Sequence, residues 1–448
     1  MTPREARTLR VGALSRVEGE GALHLRIDGR TVTEARLEIY EPPRFFEAFL
    51  RGRGHTEPPD ITSRVCGICP VAYQMSACRA VEDACGVTVD GRVEALRRLL
   101  YCGEWIESQI LHIHLLHAPD FLGCHDAVEL ARTHRAQVER GLRLKQAGNA
   151  IMEQLGGRAV HPVNVRVGGF HRAPAAAELR PLRERLLRAR DDARETVRWV
   201  SGFDFPDAGT DADLLALTEP DTYAIESGTP TVLPSGATAP TGGFAVRDFG
   251  RHVAEQQVPY STALQSRLDG RRHLTGPLAR YALSGHLMSQ VARQAAHDAG
   301  LPAPGDGGTV CRNPYRSVVV RAVEALYAVD EALRLIDAYE PPARPAEDVP
   351  ARPGTGHGAT EAPRGLLYHR YTLDTDGTVT DARLVPPTAQ NQGAIEHDLR
   401  RLVQAEIGRS GLPADDTALT RLCERAVRNH DPCISCAAHF LRLTIAHG

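Results

Sequence analysis

The sequence predicts a mainly α-helical protein with small antiparallel β-sheets, an α+β fold built around a core of long helices. Two observations support this fold class. Four long segments place apolar residues at helical spacing, and two short segments alternate apolar and polar residues around an Asp-Gly turn. We expect residues 1–448 to form one integrated domain, because the chain has enough apolar residues for a large core.

Long helices are expected through the middle of the chain. Each has apolar residues at intervals of three and four, and the second ends at Gly156-Gly157, a typical helix stop. Two shorter helices then lead towards the C-terminus. The expected helices span residues 93–117, 127–155, 175–200, 315–339, 394–407 and 414–428.

The remaining segments predict hairpins and loops. Residues 21–40 and 371–385 are the two expected β-hairpins, and the pattern leaves open whether they share one sheet or stay apart. Residues 203–250 are rich in Gly, Pro, Asp and Thr and predict a long irregular excursion. The Pro- and Gly-rich residues 341–358 predict an ordered loop, and residues 440–448 form a short C-terminal tail.

Charge and composition exclude several classes of protein. The 53 Lys and Arg against 56 Asp and Glu give a net charge of −3, so nothing suggests nucleic-acid binding or a basic membrane surface. No segment approaches the roughly 18–20 continuous apolar residues that span a bilayer, and residues 1–10 lack the apolar centre of a signal peptide. Ten cysteines are too few for a disulfide scaffold at this length. We therefore expect a cytoplasmic protein whose thiols are free to bind metal.

Two Cys-x-x-Cys pairs at opposite ends of the chain are its most informative feature. Cys66 and Cys69 form the first pair, and Cys433 and Cys436 form the second. Each pair can direct two sulfurs at one metal ion, so a fold that brings the pairs together would place four thiolates in one site. Pro70 is placed to begin a helix, whose N-terminal amides would favour thiolate at the first pair.

The spacing alone leaves the metal open. From spacing alone structural zinc is the first choice, because it is the commonest ion held by four cysteines, but the two halves of a zinc ribbon usually lie close in sequence. Here 363 residues separate Cys69 from Cys433. A thiol–disulfide pair would need a thioredoxin-like context that the sequence lacks. A buried redox metal site is the interpretation we favour.

The residues around the cysteines resemble the paired motifs of nickel–iron hydrogenase large subunits. The flanks are Arg-Val-Cys-Gly-Ile-Cys-Pro at 64–70 and Asp-Pro-Cys-Ile-Ser-Cys at 431–436, which His439 follows. Other blocks along nearly the whole chain are similar to blocks of the family. They are Arg-Val-Glu-Gly at 16–19, Gly-Arg at 157–158, His-Pro at 161–162, Gly-Gly at 168–169, Gly-Pro-Leu-Ala-Arg at 276–280, Glu-Ala-Pro-Arg-Gly at 361–365 and Pro-Thr-Ala-Gln-Asn at 387–391.

The resemblance implies a bimetallic site and a reaction. In this family four thiolates hold nickel, and two of them also bridge to an iron that carries carbon monoxide and cyanide ligands. By motif position, Cys66 and Cys433 would be terminal ligands of nickel, whereas Cys69 and Cys436 would bridge nickel and iron. The implied activity is the reversible heterolytic splitting of H2 into protons and electrons, a reaction that soft thiolate ligands suit.

The motifs also carry over catalytic residues. Arg364 matches the family arginine over the open metal position, where a permanently charged guanidinium would polarise H2. Glu18 matches the glutamate that takes a proton from a terminal cysteine, here Cys433. Glu20 and Tyr73 stand where many relatives have histidine. The departure at Glu20 leaves the remainder of the proton route open, and the departure at Tyr73 implies different hydrogen bonding to the bridging sulfur.

A second metal site is implied beside the first. Glu47 lies 19 residues before Cys66, the spacing of a family glutamate that binds magnesium, and His439 matches the histidine ligand. The backbone carbonyl of Leu384 would be a third ligand. Oxygen-rich coordination suits magnesium, although other members of the family hold different metals at this position.

The resemblance further implies partners, because the chain shows no way to export electrons alone. Its other six cysteines lack iron–sulfur spacing, and no Gly-x-Gly-x-x-Gly follows a clear strand. An iron–sulfur small subunit is therefore expected. The flanks of the cysteines resemble the cytoplasmic, bidirectional NAD(P)-linked branch, in which a flavin-containing diaphorase completes the complex. A maturation protease would be a further partner if residues 440–448 are a cleavable tail.

Three alternative functions stay open at this point: a hydrogen sensor, a quinone-binding member of the same superfamily, and a zinc-stapled structural protein. The four cysteines argue against the quinone-binding lineage, which lacks the set. The predicted catalytic and magnesium residues would have no role in a zinc protein. His112, His114 and His117 are not expected to bind metal, because their spacings do not place all three on one helix face.

Overall fold

Long helices occupy the middle of the chain, as the apolar spacing predicts. The computed structural model describes residues 6–42, 44–305, 308–412 and 415–438. The α-helices in these ranges are α1 (Phe46–Leu50), α2 (Pro58–Thr62), α3 (Pro70–Cys85), α4 (Gly91–Leu111), α5 (Ala118–Phe121), α6 (Ala127–Thr133), α7 (Arg135–Gly156), α8 (Arg180–Ser201), α9 (Phe249–His252), α10 (Pro277–Ser284), α11 (Gln290–Asp298), α12 (Ser317–Asp337), α13 (Pro387–Ser410), α14 (Asp416–Arg428) and α15 (Ile434–Ala437).

The observed helices differ from the expected ones mainly at their boundaries. The expected helix 93–117 changes from α- to π-helix over His112–His117. The expected helix 127–155 is divided at His134, whose φ of −131° and ψ of 47° leave the helical region. α13 starts seven residues earlier than expected, at Pro387, because proline is well tolerated in the first turn of a helix.

The centre of the core is α4, which packs against α7 and α12 with nearly all of its side chains buried. Gly103 of α4 meets Gly148 of α7. A Cβ atom on Gly148 would lie 2.6 Å from the carbonyl oxygen of Gly103. The two glycines therefore allow these helix backbones to approach more closely than larger side chains would permit.

A buried ion network joins the helices to the strand that precedes Arg364. Arg280 of α10 donates to Glu324 of α12 at 2.7 Å and to Glu361 at 3.0 Å, and all three side chains are almost fully buried. The same guanidinium donates to the carbonyl oxygens of Ala362 and Pro363 at 3.0 Å. The backbone just before Arg364 is thus fixed from the helical side.

The strands form small sheets around the helices. The three-stranded sheets β1-β2-β3 and β12-β13-β14 are antiparallel, and a four-stranded sheet has the order β11-β6-β7-β8. Two-stranded pairs β4-β5 and β9-β10 complete the set. The strands are β1 (Ala6–Val11), β2 (Gly21–Asp28), β3 (Thr31–Ile39), β4 (Val165–Arg166), β5 (Gly169–Phe170), β6 (Asp213–Thr218), β7 (Thr229–Leu233), β8 (Gly242–Gly243), β9 (Val253–Gln257), β10 (Leu264–Leu268), β11 (His273–Leu274), β12 (Gly354–Ala362), β13 (Gly365–Leu373) and β14 (Val379–Val385).

Both predicted hairpins form, but they belong to separate sheets. Residues 21–40 give β2 and β3, and residues 371–385 give β14 with the end of β13. The possibility that the two hairpins share one sheet is therefore wrong. Each pairs instead with a local third strand, β1 or β12, that the alternation did not reveal.

Two segments that the sequence predicts to be irregular contain strands. Residues 203–250 hold β6, β7 and β8, of which β6 is a short apolar run buried along almost its whole length. The end of 341–358 begins β12. A Cβ atom on Gly356 would lie 2.0 Å from the carbonyl oxygen of Ala80, so this strand packs directly on the backbone of α3. Glycine at this position allows the strand backbone to lie against the helix backbone, and it does not mark a loop.

The two ends of the chain meet beside α13. The sheet β1-β2-β3 packs on α13 and α14 in one apolar cluster. The backbone N–H of Ile434 donates to the carbonyl oxygen of Glu18 at 2.9 Å, and Glu18 and Cys433 pair as a short parallel bridge. The N–H of Arg44 donates to the carbonyl oxygen of Ala438 at 2.9 Å. These contacts bring the second cysteine pair to the first.

Two expectations concern the membrane and the C-terminus. None of the helices among the described residues combines the length and the apolar character that crossing a bilayer requires. The tail at 440–448 and His439, one of the expected magnesium ligands, lie outside the described residues.

Candidate metal centre

The first cysteine pair lies at the start of α3. Cys66 is extended, and Pro70 begins the helix directly after Cys69, as the sequence predicts. The N-terminal amides and the positive dipole end of α3 were expected to favour thiolate at this pair, but two of these amides have another partner. Val71 and Ala72 donate instead to the buried carboxylate of Glu104, at 2.6 and 3.1 Å. Glu104 of α4 thereby anchors the helix that presents the first pair.

The second pair follows a tight turn and begins α15. Asp431 has a φ of 48°, a left-handed conformation that is unusual for a residue other than glycine. The N–H of Cys433 then donates to the hydroxyl of Thr388, at 2.9 Å, in the first turn of α13. Backbone bonds to Glu18 on one side and α13 on the other therefore fix the position of Cys433.

The four cysteine sulfurs converge. Their Sγ atoms all lie within 4.8 Å of one another, with 3.6 Å between Cys66 and Cys433 and 3.7 Å between Cys69 and Cys436. Each cysteine is at most 3% exposed. Among the residues that the structure describes, this is the one group of His, Cys, Asp or Glu side chains arranged to hold a metal ion. The sequence prediction that the two pairs form one site agrees with this geometry.

The electrostatics of the four thiols favour a bound cation. Hydrogen bonds from Cys433, Cys436 and Cys69 lower the pKa of the Cys66 thiol, whereas burial raises the pKa of the Cys433 thiol. Several negative charges at this separation in a dry pocket repel one another strongly. A soft divalent cation would relieve that repulsion, so this donor set fits nickel and iron, and equally zinc.

Glu18 lies against the cysteines. The thiol of Cys433 donates to Oε2 of Glu18 at 2.9 Å, and the N–H of Ser435 donates to the same oxygen at 3.1 Å. Burial raises the pKa of the Glu18 carboxyl. The predicted glutamate and the predicted cysteine are therefore in direct contact.

Arg364 lies in the turn between β12 and β13 and is 3% exposed. Its Nε donates to the carbonyl oxygen of Asp431 at 3.0 Å, and its Nη2 lies 3.3 Å from the carboxylate. Burial disfavours the charge, but Asp431 and the cysteines outweigh it and keep the pKa of Arg364 above its usual value. The positive charge in turn helps to lower the pKa of Cys66.

The structure also brings together two of the predicted magnesium ligands. Oε1 of Glu47 accepts a hydrogen bond from the backbone N–H of Leu384 at 2.8 Å, and both residues are buried. The expected ligand is the Leu384 carbonyl oxygen, whereas the contact seen here is made by the Leu384 N–H, which belongs to the preceding peptide group. Glu47 lies on α1 and Leu384 on β14, which places this site at the edge of the β12-β13-β14 sheet.

Sequence reasoning missed several residues that shape the site. Glu104, Thr388 and Asp431 are far apart in sequence, and each resembles an ordinary polar residue of a helix or turn. Asp431 gave the clearest signal, because it directly precedes Pro432 and the second cysteine pair. Burial and the negative charge of the cysteines raise the pKa of the Tyr73 phenol, so Tyr73 lies beside the cluster where relatives were expected to have histidine.

His112, His114 and His117 lie on the π-helical turn that follows α4, where they contact neighbouring segments. The metal group found among the described residues contains no histidine. His112 Nε2 instead lies 2.8 Å from the carbonyl oxygen of Arg428, and the ring of His114 stacks on Trp199. These histidines pack the π-helix against its neighbours.

Comparison with known proteins gives the site its family. The sequence profile described as nickel-dependent hydrogenase matches residues 44–149 and 235–439. The alpha subunit of sulfhydrogenase 2 from Pyrococcus furiosus is 32% identical over 437 residues, which cover 96% of this chain and 98% of that subunit. The beta subunit of the NAD-reducing hydrogenase HoxS from Cupriavidus necator is 25% identical over 482 residues, covering 97% and 95%.

A solved structure shares the fold. The crystal structure of an NAD+-reducing NiFe-hydrogenase in the H2-reduced state has a TM-score of 0.87 and 28% identity, with 97% of this chain and 99% of that chain covered. This fold, with four converging cysteines at its centre, defines an oxidoreductase that contains metal. The chain belongs to the nickel-dependent hydrogenase family, as the large, catalytic subunit.

Proposed function

We propose that Cys66, Cys69, Cys433 and Cys436 hold nickel and iron, and that this chain splits H2 reversibly into protons and electrons. The convergence of the four buried sulfurs is the observation that carries the proposal. Membership of a nickel-dependent family favours nickel over zinc, which the same sulfurs would also suit. When bound, the metals would supply the redox change and Lewis acidity of the reaction, with carbon monoxide and cyanide completing the ligands of iron.

The four cysteines would have two roles. Cys66 and Cys433 would be terminal ligands of nickel, and Cys69 and Cys436 would bridge nickel and iron. Support for a distinct role of Cys433 comes from its contact with a carboxylate, since a terminal thiolate is the more basic sulfur and needs a proton acceptor nearby. That acceptor is Glu18, 2.9 Å from the Cys433 sulfur.

Glu18 would move protons between Cys433 and solvent. The hydroxyl of Ser435, the residue that also donates to Glu18 through its N–H, bonds to a carboxylate oxygen of Glu41 at 2.7 Å. The Glu41 side chain is 16% exposed and therefore reaches water. This arrangement supports a continuation of the route through Glu41 in a chain that has Glu20 where many relatives have histidine.

Arg364 would orient and polarise H2. Asp431 holds its Nε and Nη2, whereas Nη1 is buried and has no hydrogen-bond partner among the described residues. A guanidinium fixed on one edge and free on the other can stabilise negative charge that develops beside it without losing its proton.

Glu47 and the Leu384 peptide group would bind a magnesium ion together with His439. The 2.8 Å hydrogen bond from the Leu384 N–H to Glu47 supports a shared site, because it places the Leu384 backbone beside this carboxylate. The Leu384 carbonyl oxygen would be the ligand, and carboxylate and carbonyl oxygens are typical ligands of a hard cation. Because Glu47 joins α1 to β14, the ion would fasten the C-terminus of the chain close to the second cysteine pair.

Electrons would leave to an iron–sulfur small subunit and, in the complete complex, reach NAD(P) through a flavin-containing diaphorase. Val160 and Val163 are 50% and 49% exposed, on a loop that lies against the first cysteine pair at Gly67. Paired exposed valines beside a buried redox site favour a protein partner at this face. The likeness to NAD-reducing hydrogenases supports the NAD(P) branch and a cytoplasmic location.

The test is metal content and H2-dependent reduction in the complex assembled with its partners and maturation factors. We expect stoichiometric nickel, and reduction of both an artificial acceptor and NAD(P) by H2. Cys66→Ser should lose nickel and activity, whereas Cys423→Ser, at a buried cysteine of α14 outside the cluster, should keep both. Zinc in place of nickel in the wild-type complex would contradict the proposal.

A further inference from the structure

A series of unpaired buried polar groups leads away from Arg364. In the described part of the chain, Nη1 of Arg364, Oδ2 of Asp431 and Nε2 of His430 have no hydrogen-bond partner, and the Asp398 carboxyl is bonded to the Thr210 hydroxyl alone. Native proteins pair almost all buried polar atoms, and internal water usually satisfies those that side chains do not. These groups on Arg364, Asp431, His430 and Asp398 therefore mark a polar region of the interior that water can occupy.

The middle of this region is a histidine–carboxyl pair. Nε2 of His430 lies 3.6 Å from Oδ2 of Asp398, and the two side chains are 4% and 3% exposed. Burial raises the pKa of Asp398 to about 7, and the nearby Thr210 hydroxyl and Arg401 only partly offset it. Burial and the charge of Arg321 lower the pKa of His430 to about 3. Asp398 can therefore gain and lose a proton near neutral pH.

The outer end of the region reaches solvent through the neighbours of Asp398. His397 precedes it on α13, and Nε2 of His397 lies 3.0 Å from Oδ2 of Asp211. These two side chains are 25% and 41% exposed. Arg272 and Arg401 lie within 4 Å of the same Asp211 carboxylate. Asp398 is thus adjacent in sequence to His397, which belongs to a solvent-exposed cluster of charged and titratable groups.

The inner end reaches the metal centre through Asp431. Its Oδ1 lies 3.3 Å from Arg364, and its Oδ2 lies 3.5 Å from Nη1 of Arg321. Nη2 of Arg321 lies 3.4 Å from the carbonyl oxygen of His430. Arg321 therefore contacts the Asp431 carboxylate and the backbone carbonyl of His430, and its charge also acts on the His430 imidazole. The unpaired atoms around it offer a water molecule the two to four partners that it needs.

We propose that His430 and Asp398 form a second proton route between the Arg364–Asp431 pair and solvent. The inference rests on the proposed function, because it concerns the protons that H2 oxidation releases. A proton released at the metal centre would pass to water beside Asp431. As the water accepts it, the water would give a proton to the imidazole of His430, which would pass its Nε2 proton to Asp398. The carboxylic acid would then release a proton to the surface, and the sequence runs in reverse for H2 formation. No electrons move in these steps.

The test substitution at Asp398 and its control at Glu396 are both on α13. Asp398→Asn keeps the shape of the side chain but cannot carry a proton. Glu396→Gln is the control, because Glu396 is also largely buried on α13 but faces away, towards Leu37 and Tyr260. His430→Gln interrupts the route at its other member. If Asp398→Asn does not assemble, His430→Gln gives the same comparison.

The first readout is turnover of H2 by the assembled complex in H2O and in D2O. We expect Asp398→Asn and His430→Gln to lower kcat roughly ten- to hundred-fold, at the low end of what a positioned proton carrier contributes, and to raise the solvent isotope effect. Glu396→Gln should stay close to wild type in both. Wild-type kcat and isotope effect in Asp398→Asn would overturn the second route. Absence of turnover in the wild-type complex would instead count against the proposed function.

The second readout does not depend on turnover. Infrared difference spectra of the complex across pH should contain the band of a protonated carboxyl that disappears near neutral pH and shifts in D2O. Burial also raises the pKa of Glu361 to about 7, so its band should persist in both variants. The Asp398 band should be lost in Asp398→Asn and kept in Glu396→Gln. A purely structural pair would lower stability in Asp398→Asn without moving the isotope effect, and that result also overturns the proposal.

Discussion

Replacing Glu18 by glutamine separates proton transfer from every other property of the metal centre. Glu18 Oε2 accepts hydrogen bonds from the Cys433 thiol at 2.9 Å and from the Ser435 N–H at 3.1 Å. The amide oxygen of glutamine can accept both bonds in the same place. It cannot take a proton at neutral pH. The substitution therefore keeps the shape and the contacts of the site and removes one function.

We expect a large loss of activity because the Glu18 carboxylate already lies within hydrogen-bond distance of the Cys433 sulfur. A positioned acid or base within hydrogen-bond reach typically contributes about 10²- to 10⁴-fold to a rate. We therefore expect kcat for H2 oxidation to fall by about 10² or more in Glu18→Gln. Glu18→Asp retains a carboxylate but withdraws it by about one C–C bond, roughly 1.5 Å. Its activity should lie between that of wild type and that of Glu18→Gln.

The assay compares H2-dependent reduction of an artificial acceptor with the nickel and iron content of the same samples. Metal content should equal wild type in both variants, since no cysteine is changed. A Glu18→Gln complex with full metal and a kcat within about three-fold of wild type would refute the proton role, because so small a loss lies far below the range for a proton carrier. Loss of metal in Glu18→Gln would show that Glu18 is needed to build the centre.

Three further changes test the residues that support the site. Arg364→Lys should keep the metals but lower kcat by one to two orders of magnitude, because an ammonium cannot keep one edge on Asp431 and present the other to H2; turnover at constant metal content checks this. Arg280→Met should destabilise the chain by about 3–5 kcal/mol, since it leaves the buried carboxylates Glu324 and Glu361 without their cation, and thermal unfolding of the complex measures it. Glu104→Leu should leave two amides of α3 unpaired, at about 1–3 kcal/mol each, and reduce nickel retention during dialysis against a chelator.

The helical core could be predicted from the sequence because its signals are local. Apolar residues at intervals of three and four locate α8 and α12 to within five residues at each end. They also locate α4 and α7, but not the end of α4 at Leu111 or the start of α7 at Arg135. The spacing of apolar residues does not predict the π-helix at 112–117 or the break at His134. They arise where the helices pack against neighbours that the sequence does not identify.

Strands were harder to predict where their residues are chosen for tight packing and so do not alternate between apolar and polar. β2–β3 and β13–β14 have alternating patterns and Asp-Gly turns, and both were found. β12 was missed in part because Gly354, Gly356 and Gly358 look like loop residues, although they are glycines so that the strand can lie on α3. β6 was missed because five consecutive buried residues show no alternation.

The cysteine cluster could be predicted because a metal centre requires particular residues at a particular spacing. Its supporting contacts could not, because they depend on backbone positions set by the whole fold. Asp431 illustrates the difference: its unusual φ turns the chain into Cys433 while its carboxylate holds Arg364. Neither property is visible in an Asp-Pro dipeptide.

Infrared spectroscopy of the anaerobically purified complex tests the central claim most directly, with nickel and iron measured on the same sample. We expect stretching bands of carbon monoxide and cyanide bound to iron, together with stoichiometric nickel. Both should disappear in Cys436→Ser and persist in the Cys423→Ser control. Zinc without these bands, in protein produced with its partner and maturation factors, would contradict a nickel–iron centre at the four cysteines.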